Sequence, residues 1–327
     1  MLDLKKKIEL CGFKQKIHIK SKDESLPVLI FLHGGPGVIS RHGVLKNDNE
    51  LLDHFTLVCW DQRGSGGSYW GVDPKTLTID QLTRDAAALV DWCCETFHKD
   101  KVFVIGGSWG SLLGTMLVYR FPDKIAGYVG FGQMVNGPKN EEISYHFALS
   151  EAKKHNDTKA VQALEKLGAP VNGNYSGGRK GMLVQRKVMM KYGGYSQDQK
   201  KRDYTTSFII PIIKSGEYSI SDLLGLAFGH ILVLDTMLPE VVGSNLSKEV
   251  GEIKVPYYIY DGRLDYNTPA QLVEDYYNNL KAKNKKLVWF EKSGHNPMGD
   301  EPQAFKALLI KDLTALCEEY RQKGVRV

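Results

Sequence analysis

The sequence contains little cysteine, and its five cysteines lack the spacing of a metal site. Cys93 and Cys94 are adjacent within a helical pattern, and Cys59 lies in an apolar run typical of a buried strand. We interpret them as ordinary core or surface residues of a protein from a reducing compartment. The sequence therefore predicts a cytoplasmic protein without a metal centre.

Excess charge and long apolar runs are also scarce. The 43 Lys and Arg residues exceed the 38 Asp and Glu residues only slightly, giving a net charge of +5 over 327 residues. The lysines form short clusters, such as 5–7 and 283–286, which are typical of a solvated surface, so no nucleic-acid partner is expected. Residues 1–20 lack the apolar region of a signal peptide, and the apolar stretch "GHILVLDTML" is short and contains Asp235. We expect no membrane segment.

Strand and helix patterns alternate over the first 130 residues. Four short apolar runs are typical of strands buried on both faces: "PVLIFLHGG", "FTLVCWDQRG", "KVFVIGG" and "IAGYVGFG". Thr78 is expected to cap the helix that follows it, with Gln81 completing a capping box, and Pro122 is expected to stop the helix after Ser108. This alternation predicts a mostly parallel sheet with helices on both faces.

The alternation breaks in the middle of the chain. Residues 133–250 are helix-like and show no clear buried strand, whereas "KVPYYIYDG" and "KLVWFE" restore the strand pattern beyond them. A last helix is expected to open at Asp300. We therefore predict a core formed by 1–132 and 251–327, with 133–250 inserted as a helical cap over the site.

Ser108 is the candidate nucleophile. Gly106, Ser108 and Gly110 form a G-x-S-x-G motif between a buried strand and a helix, where a nucleophile elbow lies. The sharp turn crowds the backbone, and glycines two positions away relieve that crowding. The alternative is a serine in an ordinary turn.

A serine nucleophile needs a base and an acid, in the chain order Ser, acid, His. His295 follows the last predicted strand, where the base belongs, although a histidine in a loop can also be a surface residue. Asp261 and Asp265 both follow the preceding strand. Asp261 could simply bond the turn backbone, whereas Asp265 lies farther into the loop and can reach the histidine, so we favour Asp265.

The oxyanion of an acyl-transfer reaction needs backbone donors. The N–H of Trp109, directly after the serine, is one candidate. The second should come from Gly34 or Gly35 in "HGGPG", and we predict Gly35.

Together these residues resemble the α/β-hydrolase fold and, more narrowly, the prolyl iminopeptidase-like serine peptidases. The resemblance lies in five motifs: HGGPG at 33–37, DQRGSG at 61–66, GGSWGS at 106–111, GRLD at 262–265 and SGH at 293–295. It implies an α/β-hydrolase fold with Ser108 as nucleophile, Asp265 as acid and His295 as base. Asp61 and Arg63 are expected to brace a loop beside the site.

The resemblance also implies a substrate class. Aminopeptidases of this family bind the free amino group of the substrate through acidic side chains of the cap, with aromatic side chains around the proline ring. The cap offers the following candidates: Glu141, Glu142, Glu217, Asp222, Asp235, Tyr145, Tyr195, Tyr204 and Phe208. We expect a cofactor-free hydrolase of short peptides, with a carboxylesterase of small esters as the alternative and a non-catalytic ligand-binding protein as a minor one.

Overall fold

The computed structural model describes residues 1–45, 50–201 and 203–327. Eight strands form one sheet, in the order β1-β2-β4-β3-β5-β6-β8-β10. Their bounds are β1 Leu2–Leu10, β2 Phe13–Ser21, β3 Val28–Leu32, β4 Thr56–Trp60, β5 Val102–Gly107, β6 Ile125–Phe131, β8 Tyr257–Gly262 and β10 Lys285–Phe290. Two short strands, β7 Glu252–Ile253 and β9 Lys281–Ala282, pair separately.

The sheet is mostly parallel. Six strands run parallel to one another: β3, β4, β5, β6, β8 and β10. At one edge of the sheet, β2 pairs antiparallel with β4, and β1 pairs antiparallel with β2. The predicted α/β-hydrolase fold class is confirmed by this sheet and its helices. The sequence analysis did not predict β1.

Each central strand supplies side chains to two cores. In β5, Val102 and Val104 pack in one apolar cluster, while Phe103 and Ile105 pack in the cluster on the opposite face. Because side chains alternate along a strand, burial of both faces requires a continuous apolar run. The continuous apolar run of β5 therefore follows from its burial on both faces.

Twelve α-helices are present in the described ranges. Those outside 133–250 are α1 Arg41–Leu45, α2 Ile79–Thr96, α3 Trp109–Arg120, α10 Ala270–Asn279, α11 Pro297–Asp300 and α12 Pro302–Gln322. Those inside it are α4 Gly137–Lys154, α5 Thr158–Leu167, α6 Arg179–Lys191, α7 Ile210–Ser215, α8 Ile220–Gly243 and α9 Leu246–Glu249. Between β3 and β4 the sequence also suggests a short helix within 43–53. Helix α1 and a 3₁₀ turn at Leu51–Asp53 lie in this region, and 46–49 are outside the described residues.

Two predictions about helix ends are corrected by the structure. The hydroxyl of Thr78 accepts the N–H of Gln81, as predicted, but the Gln81 side chain donates to Asp85 and does not complete a capping box. The last helix, α12, begins at Pro302 and not at Asp300, because a separate turn, α11, occupies the residues before it.

The segment 133–250, called the cap below, has its ends side by side. Gly137 donates its N–H to the carbonyl of Ser244 at 2.8 Å, and Leu246 donates to Val135 at 2.8 Å. These bonds close the base of the cap beside the end of β6. Helices α4, α5 and α6 share a separate apolar cluster that includes Ala148, Leu164 and Met189.

Helix α8 is longer than the apolar stretch from which no membrane segment was expected. Its 24 residues contain an 18-residue window with a mean hydropathy of 1.5, long and apolar enough to span a membrane by composition alone. A third of that window is buried, and Val233, Met237 and Val241 pack in the main core. The stretch "GHILVLDTML" is only the middle of this helix, and Asp235 within it makes the apolar run look shorter than the helix is.

Candidate active site

Ser108 lies on a sharp turn between β5 and α3. Its φ of 55° and ψ of −125° place a residue with a side chain in a region that such residues rarely occupy. The turn is held by the N–H of Ser108, which donates to the carbonyl of Phe131 at 2.9 Å. This strained conformation presents the hydroxyl at the carboxyl end of the central strands.

The two flanking glycines are required by close backbone contacts. A Cβ atom on Gly106 would lie 2.2 Å from the carbonyl oxygen of Gly110. A Cβ atom on Gly110 would lie 2.1 Å from the carbonyl oxygen of Leu32. The G-x-S-x-G spacing is thus explained by the packing of the elbow against β3.

His295 and Asp265 come together beside this turn. Nδ1 of His295 is 2.8 Å from Oδ2 of Asp265, and both side chains are buried. The hydroxyl of Thr268 donates to the same Oδ2 at 2.6 Å, and the N–H groups of Asn267 and Thr268 donate to Oδ1 at 2.7 and 3.0 Å. The carboxylate is therefore fixed by its own loop, and it orients the imidazole.

Asp261, the alternative acid, has a different environment. It is fully buried, and its carboxylate accepts the N–H groups of Gly132, Gln133 and Gly262 at 2.8, 3.2 and 3.1 Å. Burial and the nearby charge of Asp265 raise the pKa of Asp261, against the effect of these donors. Its bonds support the turn after β6 and are not directed at His295.

The turn after β6 contacts both Ser108 and the imidazole of His295. A Cβ atom on Gly132 would lie 2.8 Å from Cε1 of His295, while the neighbouring Phe131 binds the N–H of Ser108. Among the described residues, no hydrogen bond joins the Ser108 hydroxyl to His295. Such bonds often tighten only when substrate is bound.

Asn267 covers one face of the imidazole. Its amide nitrogen is 3.1 Å from Nε2 and 3.5 Å from Nδ1 of His295. An atom along the in-plane lone pair of Nε2 would lie much farther from Nδ1, so the amide lies over the ring. This contact leaves the Nε2 lone pair available to accept a proton.

The candidate oxyanion donors lie on both sides of Ser108. Trp109 is the first residue of α3 and is fully buried. On the other side, a Cβ atom on Gly34 would lie 3.1 Å from Cβ of Ser108, whereas the atoms nearest to the same position on Gly35 belong to Gly37 and Val38. Gly34 therefore makes the close approach to the serine, and the assignment of the donor to Gly35 stays a prediction.

The DQRGSG motif lies beneath these donors. Nε of Arg63 donates to Asp85 at 2.6 Å. Asp61 accepts from Arg41 at 2.5 Å, and Arg41 also donates to Asp222 of the cap at 2.5 Å. Both residues form buried ion pairs outside the triad, consistent with a bracing role for this loop.

A row of aromatic side chains of the cap extends from the imidazole. The ring of Tyr195 lies 5.0 Å from that of His295, with Phe208 5.4 Å beyond it and Tyr204 4.9 Å from Phe208. The carbonyl of Tyr195 also accepts the N–H of His295 at 2.7 Å. Tyr145 lies elsewhere, in the cap core, with its hydroxyl on the carbonyl of Leu164.

All five cap carboxylates considered in the sequence analysis have cationic partners. The pairs are Glu141–Arg186, Glu142–Lys139, Glu217–Lys5, Asp222–Lys16 and Asp235–Arg179. The partners of four of them are distant in sequence, so the sequence alone could not predict them. Within the described ranges, no group of three or more His, Cys, Asp or Glu side chains is arranged to hold a metal ion.

Glu141 differs from the other four. It is 3% exposed, and only Oε1 is used in its ion pair, at 2.5 Å from Arg186. Its Oε2 is buried without a hydrogen-bond partner. Asn140 donates both to Oε1 of Glu141 at 3.2 Å and to the carbonyl of Asn267 at 2.8 Å, which connects this carboxylate to the residue covering His295.

Comparison with known proteins identifies the fold and its relatives. A family model described as the alpha/beta hydrolase fold matches residues 27–174. The probable aminopeptidase YbaC of Bacillus subtilis (strain 168) is 29% identical over 308 residues, covering 94% of this chain and 95% of that protein. The proline iminopeptidase of Heyndrickxia coagulans is 23% identical, covering 86% and 88%.

A solved structure has the same architecture. The proline iminopeptidase of Mycobacterium smegmatis superposes with a TM-score of 0.66 at 15% identity, covering 96% of this chain and 98% of that one. The fold and these matches define the chain as a protein of the α/β-hydrolase fold. Over most of its length the chain is similar to a probable aminopeptidase and to a proline iminopeptidase, in line with the resemblance of its motifs, and these relatives support hydrolase activity.

Proposed function

We propose that the protein is a serine hydrolase that forms an acyl-enzyme at Ser108. The observation that carries this proposal is the combination of a strained serine elbow with a buried His295–Asp265 pair, 2.8 Å apart, at one edge of the sheet. Asp265 holds the proton on Nδ1, which leaves Nε2 as the base.

The reaction proceeds in two acyl transfers. The hydroxyl of Ser108 attacks the substrate carbonyl while Nε2 of His295 takes its proton, and backbone N–H groups stabilise the oxyanion. The imidazolium then protonates the leaving group, which departs as an amine or an alcohol. Water, deprotonated by the same nitrogen, then attacks the acyl ester on Ser108. This step releases the carboxylic acid product and regenerates the Ser108 hydroxyl.

For the substrate we propose a short peptide with a free amino terminus, preferably proline. The relatives that the chain matches over most of their length support this class. The row of rings that runs from Tyr195, beside His295, to Phe208 and Tyr204 also supports it, because it offers an apolar surface for a small ring. We assign the free Oε2 of Glu141 as the acceptor of the substrate ammonium, because a buried oxygen without a donor is costly.

A carboxylesterase is the second candidate. Arg186 already pairs with Glu141, and the other four carboxylates are also paired. A substrate ammonium would therefore enter a site whose negative charge is largely compensated. A neutral ester needs no such partner.

Paired substrates distinguish the two candidates. We expect proline arylamide to be cleaved far faster than its N-acetyl derivative, because a substrate without the ammonium leaves Oε2 unpaired. Glu141→Gln should remove most of that preference, a change of about 2–5 kcal/mol for a buried charge contact. Glu142→Gln, next in the chain but exposed, is the matched control. Equal turnover of both arylamides, with faster turnover of p-nitrophenyl esters, would favour the esterase.

A further inference from the structure

Gln62 connects the two segments that carry the candidate oxyanion donors. It lies two residues after the end of β4 and is 1% exposed. Its Nε2 donates to the carbonyl of His33 at 2.9 Å, and its Oε1 accepts the indole N–H of Trp109 at 2.8 Å. Its backbone N–H donates to Nε2 of His33 at 3.2 Å.

These contacts extend across three strands. In the sheet, β4 neighbours β3, and β3 neighbours β5. His33 follows β3 and begins the HGGPG loop, while Trp109 follows the elbow at the end of β5. One side-chain amide therefore joins both walls of the space in front of Ser108.

The chemistry of the amide suits this connection. A glutamine presents one donor and one acceptor at a fixed separation, and here each meets a partner of the opposite kind. A glutamate would place an acceptor against the carbonyl of His33, and a leucine would leave the indole and that carbonyl unpaired. Both buried partners would then favour new positions.

We propose that Gln62 is a positioning residue for the oxyanion hole, fixing the spacing between the N–H of Trp109 and the N–H donor of the HGGPG loop. This inference rests on the proposed serine hydrolase function. Gln62 touches neither Ser108 nor His295 in the described contacts, so it acts through the donors. Stabilisation by an oxyanion hole depends on donors held in place before charge develops.

Positioning differs from a purely structural role in what it changes. Donors that meet the oxyanion only in the transition state affect kcat and leave substrate binding nearly unchanged. A displacement of about 1 Å can cost on the order of a hundredfold in rate. Proton transfer at His295 is untouched, so the pH profile should keep its shape.

The chain supplies a matched control. Gln15 is also fully buried, and its Oε1 accepts the indole N–H of Trp60 at 3.0 Å. It lies in β2, outside the site. Gln15→Leu therefore removes the same kind of bond without reaching the oxyanion donors.

The test compares Gln62→Leu with Gln15→Leu in the full chain. We expect Gln62→Leu to lower kcat by about tenfold to a hundredfold with KM changed less than about twofold. The rate of labelling by a fluorophosphonate should fall in proportion, because phosphonylation develops charge in the same hole. Gln15→Leu should leave both rates near those of the unmodified protein.

Trp109→Phe is the second variant, in case Gln62→Leu fails to fold. It removes the indole donor and keeps the backbone N–H of residue 109, so it should reproduce the loss in kcat. Where all variants fold, the loss in the double variant should be smaller than the sum of the single losses in free energy.

Two results overturn the inference: unchanged kcat and labelling rate in both Gln62→Leu and Trp109→Phe, or an equal loss in Gln15→Leu. The failure of the proposed function has a different signature. In that case the unmodified protein itself is not labelled at Ser108.

Discussion

Replacing Asp265 by asparagine should change the tautomer of His295, moving its ring proton from Nδ1 to Nε2. The Oδ1 atom is held by the N–H groups of Asn267 and Thr268, at 2.7 and 3.0 Å. An asparagine will keep its oxygen at those donors, which places its NH₂ group where Oδ2 now meets Nδ1 at 2.8 Å. The amide then donates to Nδ1, the ring proton moves to Nε2, and no lone pair faces the serine.

The magnitude follows from the loss of the base. The same substitution in the serine protease triad, where it produces the wrong tautomer, lowers kcat by about 10⁴. At 1.36 kcal/mol for each factor of ten, this is about 5.5 kcal/mol of transition-state stabilisation. We expect a loss of similar size for Asp265→Asn, while the fold remains because the amide is nearly isosteric.

The assay is single-turnover cleavage of an arylamide or ester by Asp265→Asn and Asp261→Asn, with urea unfolding as a check on the fold. Asp261 is equally buried, but it bonds to Gly132, Gln133 and Gly262 and not to His295. Its variant should lose stability and less than about a hundredfold in rate, through the support of the turn. A larger loss in Asp261→Asn, or near-normal turnover by Asp265→Asn, would refute the assignment of the acid.

Two further predictions concern other parts of the structure. Gly110→Ala should lower stability by about 1–3 kcal/mol in urea unfolding, because the added Cβ would meet the Leu32 carbonyl at 2.1 Å; unchanged stability would contradict this packing. Burial raises the pKa of Asp222, but the hydrogen bond from Lys16 and the charge of Arg41 outweigh burial and hold that pKa below the ordinary value of an aspartate. The ionised Asp222 therefore stabilises the fold at neutral pH, and this stabilisation is lost as the pH falls through the lowered pKa. Because Asp222→Asn cannot ionise, its Tm should fall less below about pH 5 than the Tm of the unmodified protein; an equal fall would contradict this.

The sequence predicts the buried strands and the order of the site residues because both depend on local patterns. Continuous apolar runs identify β3 to β6, and a serine between glycines marks the elbow. Strand β1 escaped this reasoning, since its lysines hide the pattern. Cys11 and Gly12 form a two-residue hairpin turn between β1 and β2, and both have positive φ angles. The glycine in this turn is the sequence signal that could have revealed β1.

The substrate side of the site could not be predicted in the same way. The partner of Glu141 is 45 residues away, and the partner of Asp222 is 206 residues away. No local spacing encodes such pairs: the first forms where α4 packs against α6 within the cap, and the second where α8 meets β2. Gln62 was overlooked for the same reason, because its function depends on Trp109, 47 residues further along the chain.

The most direct test of the account is covalent labelling of the serine. A fluorophosphonate probe should react with the full-length protein, and peptide mass spectrometry should locate the adduct on Ser108. Ser108→Ala should fold normally, take up no probe and lose hydrolysis by several orders of magnitude. An adduct on another residue, or a folded Ser108→Ala variant that retains more than a few per cent of the activity, would contradict Ser108 as the nucleophile.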